Sequence, residues 1–184
     1  MMLTHIGTKR IETEHLVLRR FHIGDERAMF DNWANDDEVT KYLSWTTHSS
    51  VDVTRMVLDG WIEGYGKDDQ YLWAITVKEE GDDPIGSISV VKHDSEIGKM
   101  EIGYCIGRHW WHKGIMTEAL GAVIDHLFHN MGAQRIEACH DPRNPNSGAV
   151  MRKCGMVFEG MLRRSGRNNQ GICDVCWYAS ISSI

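Results

Sequence analysis

A strand, a turn and a helix follow one another between Met100 and Gly132, and this run constrains the fold more than any other part of the sequence. The residue pattern predicts a strand over Met100–Ile106. Apolar residues then recur with helical spacing, and Gly132 is typical of a helix end. The apolar stripe comprises Met116, Ala119, Leu120, Val123 and Leu127. The sequence therefore predicts an amphipathic helix that begins at Gly114, directly after a strand and the turn Gly107–Lys113.

The other predicted elements come in an order that indicates a mixed α/β domain rather than a doubly wound one. In order, they are strand 11–21, helices 25–34, 36–42 and 50–61, strands 71–77, 85–92 and 100–106, helix 114–132, strand 135–140, helix 145–155, and strands 157–164 and 173–181. No internal repeat or low-complexity tract interrupts this order. We therefore expect one domain over residues 1–184.

Composition and charge limit the location and the partners of the chain. The chain has 184 residues, 42% of them hydrophobic, which suits one domain with a substantial core. No apolar run approaches the roughly 20 residues of a membrane-spanning helix, and the first residues lack a secretory-signal pattern. The five cysteines lack framework spacing, so we expect a reducing, cytoplasmic environment. The formal charge of −6 disfavours nucleic-acid partners and favours cationic ones such as amines or basic protein tails.

The turn before the long helix has the chemistry of a phosphate site. A helix start leaves backbone N–H groups unpaired, and these groups carry partial positive charge that suits an anion. Gly114 allows a ligand to approach the backbone closely, and Lys113 adds a cation. The turn lacks the Gly-Lys-Ser/Thr of a Walker loop and the three glycines of a dinucleotide site. With one glycine, the turn by itself fits an ordinary strand–turn–helix connection as well as a pyrophosphate site.

Four segments of the chain, taken together, carry a family resemblance. They are Glu14–Phe21, Val39–Trp45, Glu101–Leu120 with its EIGY and WWHKGIMTEAL sequences, and Asn144–Met156. In this order they resemble the GNAT family of N-acetyltransferases, and in particular its branch of ribosomal-protein alanine N-acetyltransferases of the RimJ/RimL type. The resemblance implies a mostly antiparallel mixed sheet of six to seven strands, flanked by helices on both faces.

The resemblance also implies acetyl-CoA as the co-substrate and assigns residues to it. The implied contacts are the strand end Tyr104, Cys105 and Ile106 for the pantetheine arm, the turn His112, Lys113, Gly114, Ile115, Met116 and Thr117 for the pyrophosphate, and Asn144 with Ser147 near the thiol. Met116 stands where the family usually has a small residue. Asn144 and Ser147 also suit the start of a helix on backbone grounds alone, so the local pattern leaves both readings open.

Acetyl transfer to an amine needs a proton for the leaving thiolate and an acceptor for the proton of the amine. Many relatives use a tyrosine as the acid, and Met151 stands at that position here. Ser147 is the nearest hydroxyl and becomes the candidate acid. Some relatives carry a glutamate that acts as the base where this chain has Cys139. Glu101 is the better candidate base here, because a carboxylate on a central strand near the thioester can accept a proton through water. The alternatives are a structural serine, a solvent-facing glutamate, and an amine that arrives already deprotonated.

The resemblance thus implies an enzyme that moves an acetyl group from acetyl-CoA to a primary amine, possibly a protein N-terminus. Two alternatives stay open: acetylation of a small amine such as a polyamine, an amino acid or an antibiotic, and a non-catalytic module that binds acyl-CoA. His126 and His129 are three residues apart on a helix, but no nearby cysteine completes a metal set, so we expect no metal. The sequence leaves monomer and homodimer equally open.

Overall fold

One mixed sheet of eight strands runs through the computed structural model, which describes residues 3–183. The strand order is β1-β2-β3-β4-β5-β6-β8-β7, and within residues 3–183 only β5 and β6 pair in parallel. The strands are β1 (Ile11–Glu12), β2 (Leu16–Arg19), β3 (Leu72–Val77), β4 (Gly86–Asp94), β5 (Lys99–Ile106), β6 (Arg135–His140), β7 (Val157–Asn168) and β8 (Gly171–Ile181). The predicted fold class, a mostly antiparallel sheet with helices on both faces, is confirmed.

The helices fill the connections between strands. They are α1 (Glu26–Met29), which continues into a wider π-helical turn (Phe30–Ala34), α2 (Asp37–Thr40), α3 (Val51–Gly64), α4 (Ile115–Met131) and α5 (Pro145–Lys153). The parallel strands β5 and β6 are joined through α4, as a parallel pair requires a long crossover. Among the described residues, no helix is long and apolar enough to cross a membrane.

Alternate residues of the central strands pack into two separate cores, one on each face of the sheet. On β3, Trp73 and Ile75 belong to the core that contains α4, whereas Leu72 and Ala74 belong to the core on the side of α1 and α3. This alternation follows from the two-residue period of a strand. All five residues of the predicted apolar stripe of α4 are buried. The long helix is therefore held rigidly against the sheet.

Three details of the predicted elements were wrong: one strand is split in two, one helix changes its type, and one hairpin is longer. The sheet has eight strands rather than six to seven, because the predicted strand 11–21 folds back on itself and forms β1 and β2. The backbone N–H of Thr13 donates to the carbonyl of Leu16 at 3.1 Å, which closes the turn between them. The predicted helix 25–34 is α-helical only over its first residues. The hairpin of β7 and β8 extends to Asn168 and Gly171, beyond the predicted ends at 164 and 173.

The turn between β1 and β2 is tied to α4 by Glu118. Its carboxylate accepts hydrogen bonds from the Thr13 hydroxyl at 2.5 Å and from the backbone N–H of His15 at 2.9 Å. These bonds favour the charged form and hold the pKa of Glu118 below its ordinary value of 4.5, although burial works in the opposite direction and is the largest single influence. Glu118 therefore has a structural role at the first turn of α4, where a negative charge is also favoured.

We expect Glu118→Gln to lower the free energy of unfolding by about 1 kcal/mol at neutral pH, since the site is partly solvated. A carboxylate with a lowered pKa stabilises the fold above its unfolded pKa and loses this effect as pH falls through the folded value. The difference between the two proteins should therefore shrink below about pH 4.5. Urea unfolding at several pH values measures this difference in the free energy of unfolding. Glu79→Gln, an exposed change of equal charge, is the control, and an equal loss for both variants would contradict the prediction.

Candidate functional site

A cleft of about 340 Å³ opens where β5 ends, beside the first turns of α4 and α5. It is lined by most of the residues that the resemblance assigned to the co-substrate: Tyr104, Cys105, Ile106, His112, Gly114, Met116, Thr117, Asn144 and Ser147. Two assigned residues do not line the cleft, although they belong to the same turn. Lys113 is exposed, and the side chain of Ile115 packs against the core. The fold thus gathers three separate sequence segments around one cleft.

The strands β5 and β6 separate at the edge of this cleft. Their parallel pairs run from Lys99↔Arg135 to Ile102↔Ala138 and go no further in the described residues. On its other side, β5 stays paired with β4 as far as Ile106. Over Tyr104–Ile106, the β5 edge that faces β6 therefore has no strand partner within residues 3–183, and the one side-chain bond at this edge is that of the Ile106 carbonyl, which accepts from the Trp111 indole. An extended ligand with amide groups, such as a pantetheine arm, can pair with this edge as another strand would.

The turn between β5 and α4 has two residues in left-handed backbone conformations. His112 has φ 61° and Gly114 has φ 82°. Positive φ is strained for a residue with a side chain and costs glycine little. Gly114 sits immediately before the first residue of α4, and no other atom lies within 4 Å of the place where its Cβ would be. Gly114 therefore places no side chain of its own between the cleft and the start of α4.

Two tryptophans fix the position of this turn. The indole N–H of Trp111 donates to the carbonyl of Ile106 at 2.9 Å, and that of Trp110 donates to the carboxylate of Glu80 at 2.8 Å. The first bond ties the turn to the end of β5, and the second ties it to the loop after β3. The conformation of the turn is therefore held by hydrogen bonds to two other parts of the chain.

Ser147 lies in the first turn of α5 and contacts Tyr104 across the cleft. The Tyr104 hydroxyl lies 2.9 Å from the carbonyl oxygen of Ser147 and 3.1 Å from its hydroxyl oxygen. Asn144 precedes α5, and its side chain makes no capping hydrogen bond to the helix. Helix capping therefore does not account for Asn144, which lines the cleft. The contact to the Tyr104 side chain was missed by the sequence analysis, which used only the backbone of this residue.

Glu101 lies outside the cleft, in a second depression of about 310 Å³. The depression is lined by Lys92, Lys99, Glu101, Arg135, Glu137, Glu159, Leu162 and Trp177. Burial and the nearby charge of Glu137 raise the pKa of Glu101 above its ordinary value. Its carboxylate is 4.0 Å from the thiol of Cys139, which would be the donor of that weak contact. The structure does not bring Glu101 and Ser147 into one pocket, and the role of Glu101 as a base stays a prediction.

Another wall of the cleft is formed by the segment 38–43 and by Arg143. Val39–Trp45 belonged to the family resemblance, but no contact with the co-substrate was predicted from the sequence for this segment or for Arg143. Arg143 is held by the carboxylate of Asp141, with its Nη2 at 2.6 Å, and its guanidinium lies 5.8 Å from the ring centre of Tyr42. Asn169 stabilises this segment, because its side-chain amide donates to the carbonyl oxygens of Thr40 and Trp45, each at 2.8 Å. This wall depends on the β7–β8 turn, which is more than 120 residues away in the chain.

The histidines that raised the question of a metal have other contacts. The His126 ring meets Trp73 edge-on, with ring centres 6.1 Å apart, and His129 Nδ1 lies 2.8 Å from the carbonyl of Asp125. Within residues 3–183, no group of three or more His, Cys, Asp or Glu side chains is placed to hold a metal ion.

Comparison with known proteins identifies the family to which this cleft belongs. Residues 15–157 match the family model of the acetyltransferase (GNAT) domain, which is most of the chain. The chain belongs to the GNAT acetyltransferase family. A GNAT chain of this kind has the activity of an acyltransferase, and the predicted family and enzyme class are confirmed.

Individual GNAT proteins are similar to this chain over most or part of its length. An uncharacterized N-acetyltransferase, p20 of Bacillus licheniformis, is 33% identical over 91% of this chain and 93% of its own length. The crystal structure of a GNAT-family acetyltransferase from Bacillus anthracis superposes with a TM-score of 0.82 at 26% identity, covering 94% of this chain and 98% of that one. The ribosomal protein uS5 alanine N-acetyltransferase of Escherichia coli is 37% identical over 62 residues, 34% of this chain and 32% of that enzyme.

Proposed function

We propose that this GNAT protein transfers the acetyl group of acetyl-CoA to a primary amine, with a protein N-terminus as the acceptor. The observation that carries the proposal is the continuity of the cleft. It runs from the left-handed turn at Gly114, along the free edge of β5, to the hydroxyl groups of Tyr104 and Ser147. These parts supply, in one place, a site for an anion, a site for an amide chain and a hydrogen-bond donor for a leaving group.

The pyrophosphate and the pantetheine arm of acetyl-CoA have different requirements, and the cleft has groups that suit each of them. The pyrophosphate needs several donors at once, and the first N–H groups of α4 provide them together with the positive end of the helix. The pantetheine arm needs partners for its amide groups, and the unpaired edge at Tyr104–Ile106 provides these. Ser147 and Asn144 then lie on the far side of this edge, close to the place where the thioester would come.

The chemical step requires attack by a neutral amine and departure of a thiolate. The nitrogen forms a bond to the carbonyl carbon, and the C–S bond breaks with its electron pair on sulfur. A thiol has an ordinary pKa of about 8.5, so a weak acid is sufficient to stabilise the departing sulfur. Ser147 is the hydroxyl that we assign to this task. Its place in the first turn of α5 fixes its position relative to β5.

A protein N-terminus is the acceptor that the remaining observations favour. The alanine acetyltransferase of E. coli noted above acts on a ribosomal protein, and part of it is similar to this chain. Ribosomal proteins are generally basic, and the net charge of −6 attracts a basic partner. The wall at 38–43 adds aromatic and apolar groups, Tyr42, Leu43 and Val39, against which the first side chain of a peptide can pack.

The test is release of free thiol from acetyl-CoA in the presence of a panel of amines. We expect turnover with peptides that begin with alanine or serine, and none with the same peptides after their N-termini have been blocked. Turnover only with polyamines, amino acids or antibiotics would replace the protein acceptor with a small one. Saturable acetyl-CoA binding without turnover on any amine would contradict the enzymatic function and favour a binding module.

Glu101 is proposed as the base that accepts the amine proton through water. It stands one residue before the last β5–β6 pair, and its raised pKa brings it closer to the pH at which a base works best. On this hypothesis, Glu101→Gln lowers kcat by about tenfold and removes the acidic limb of the pH–rate profile. Glu159→Gln is the matched control, since Glu159 lines the same depression but is paired with Arg135. A wild-type rate and profile for Glu101→Gln would remove Glu101 from the mechanism.

A further inference from the structure

The contact between Tyr104 and Ser147 joins a core strand to a helix within the cleft. Tyr104 is the third residue from the end of β5, beyond the last β5–β6 pair, and its ring lies in the partly buried layer that packs on the α4 core. Its hydroxyl reaches two oxygen atoms of the same residue, the Ser147 carbonyl at 2.9 Å and the Ser147 hydroxyl at 3.1 Å. Both residues line the cleft. No role for this side chain follows from the binding of acetyl-CoA alone.

The two distances determine how the hydrogen atoms are arranged. A carbonyl oxygen only accepts, so Tyr104 donates its single hydrogen in the 2.9 Å bond. The 3.1 Å contact then has to be donated by Ser147 to the phenol oxygen. In this arrangement the hydrogen of Ser147 has a defined partner before the reaction. Because both acceptors lie within 3.1 Å, rotation of the phenol O–H alone transfers its bond from the carbonyl to the Ser147 hydroxyl oxygen.

We propose that Tyr104 is a positioning residue, which holds the Ser147 hydroxyl at rest and donates to its oxygen when Ser147 protonates the departing sulfur. The inference rests on the proposed function. As the C–S bond breaks, Ser147 gives its proton to the sulfur and Tyr104 turns its O–H towards the Ser147 oxygen. The nitrogen releases its proton to water, and Ser147 regains one from water. Each bond that is broken is thereby matched by one that forms, and Tyr104 keeps its own proton.

The surroundings of Tyr104 agree with a donor that does not ionise. Burial raises the pKa of the Tyr104 phenol well above its ordinary value of 10.0, although the hydrogen bond to Ser147 works in the other direction. The phenol therefore stays protonated at any pH at which the protein works. It can orient and donate to Ser147 throughout the reaction, and it contributes no ionisation of its own to the pH–rate profile.

Tyr104→Phe tests the inference, because it removes one oxygen and keeps the ring. We expect kcat to fall by about fivefold, the effect of one neutral hydrogen bond, with the KM for acetyl-CoA within twofold of the wild type. In a Ser147→Ala background, the same substitution should change kcat by less than twofold, since Tyr104 acts only through Ser147. A purely structural role would lower the rate by the same factor in both backgrounds.

Tyr178→Phe is the matched control. Tyr178 is a buried tyrosine whose hydroxyl, like that of Tyr104, has a hydrogen-bond partner, since it accepts from Arg152 at 2.9 Å. Tyr178 does not line the cleft. The kcat of the Tyr178→Phe variant should stay within twofold of the wild type. Thermal unfolding of all the variants checks that they are folded at the assay temperature. A wild-type kcat for Tyr104→Phe, or equal losses with and without Ser147, would overturn the inference while leaving the proposed function intact. A wild-type protein without turnover on any amine would instead reject the proposed function, and this inference with it.

Discussion

Binding of acetyl-CoA should weaken by about 10- to 100-fold when Gly114 is replaced by alanine, the effect of losing one or two charge-assisted hydrogen bonds. Gly114 has φ 82°, a left-handed conformation that alanine adopts only with strain. Relief of that strain would rotate the first N–H groups of α4 away from the cleft. A methyl group that stayed in place would instead occupy the open space through which the pyrophosphate approaches. The KM for acetyl-CoA, or its Kd by calorimetry, measures the loss.

Gly132→Ala is a close control for this substitution. Gly132 follows the last residue of the same helix, has φ 69°, and likewise has no atom within 4 Å of its would-be Cβ. Both variants should lose about 1 kcal/mol of folding free energy, because both force alanine into a left-handed conformation. Only Gly114→Ala should lose affinity, since Gly132 lies about 25 Å away at the other end of α4. Equal affinities in the two variants would show that the pyrophosphate does not bind at this turn.

The fold could largely be predicted because its elements are defined by local patterns. The stripe of α4 and the alternation of β3 are complete within single segments, and both were found at the predicted positions. The prediction of one continuous strand over 11–21 was wrong. The turn at Thr13–His15 was not recognised because it contains no glycine or proline. This turn is stabilised by Glu118, which is about 100 residues away, and a local pattern cannot contain such a contact.

The features of the candidate site also differ in whether they are local in the sequence or join distant segments. The phosphate turn is local, so its glycine and its place between a strand and a helix could be identified from the sequence. The separation of β5 from β6, the contact of Tyr104 with Ser147 and the wall at 38–43 all join distant segments. Tyr104 was assigned to the pantetheine arm through its backbone alone, and the position of its hydroxyl at the cleft depends on where α5 packs. Glu101 was expected near the thioester because it lies on a central strand, and the fold places Glu101 and Ser147 in different depressions.

The largest effect on turnover should come from Ser147→Ala. General acid catalysis contributes at least about 100-fold, so kcat should fall by about that factor when the only assigned donor to the departing sulfur is removed. Binding of acetyl-CoA should change little, because the pyrophosphate turn and the free edge of β5 stay as they are. A mutation that lowers kcat and kcat/KM equally removes an interaction made only in the transition state, and this is the pattern that we expect.

Two conservative replacements separate the hydroxyl from the rest of the side chain. Ser147→Thr keeps the hydroxyl and should retain most of the turnover, whereas Ser147→Cys offers only a weak donor and should lie between the serine and alanine proteins. Ala at this position is compatible with a helix, so the fold should be preserved, and thermal unfolding checks this. An unchanged kcat for Ser147→Ala would exclude Ser147 as the acid. It would mean that the thiolate leaves without a proton from the protein, since a CoA thiolate with a pKa of about 8.5 can depart and take its proton from water.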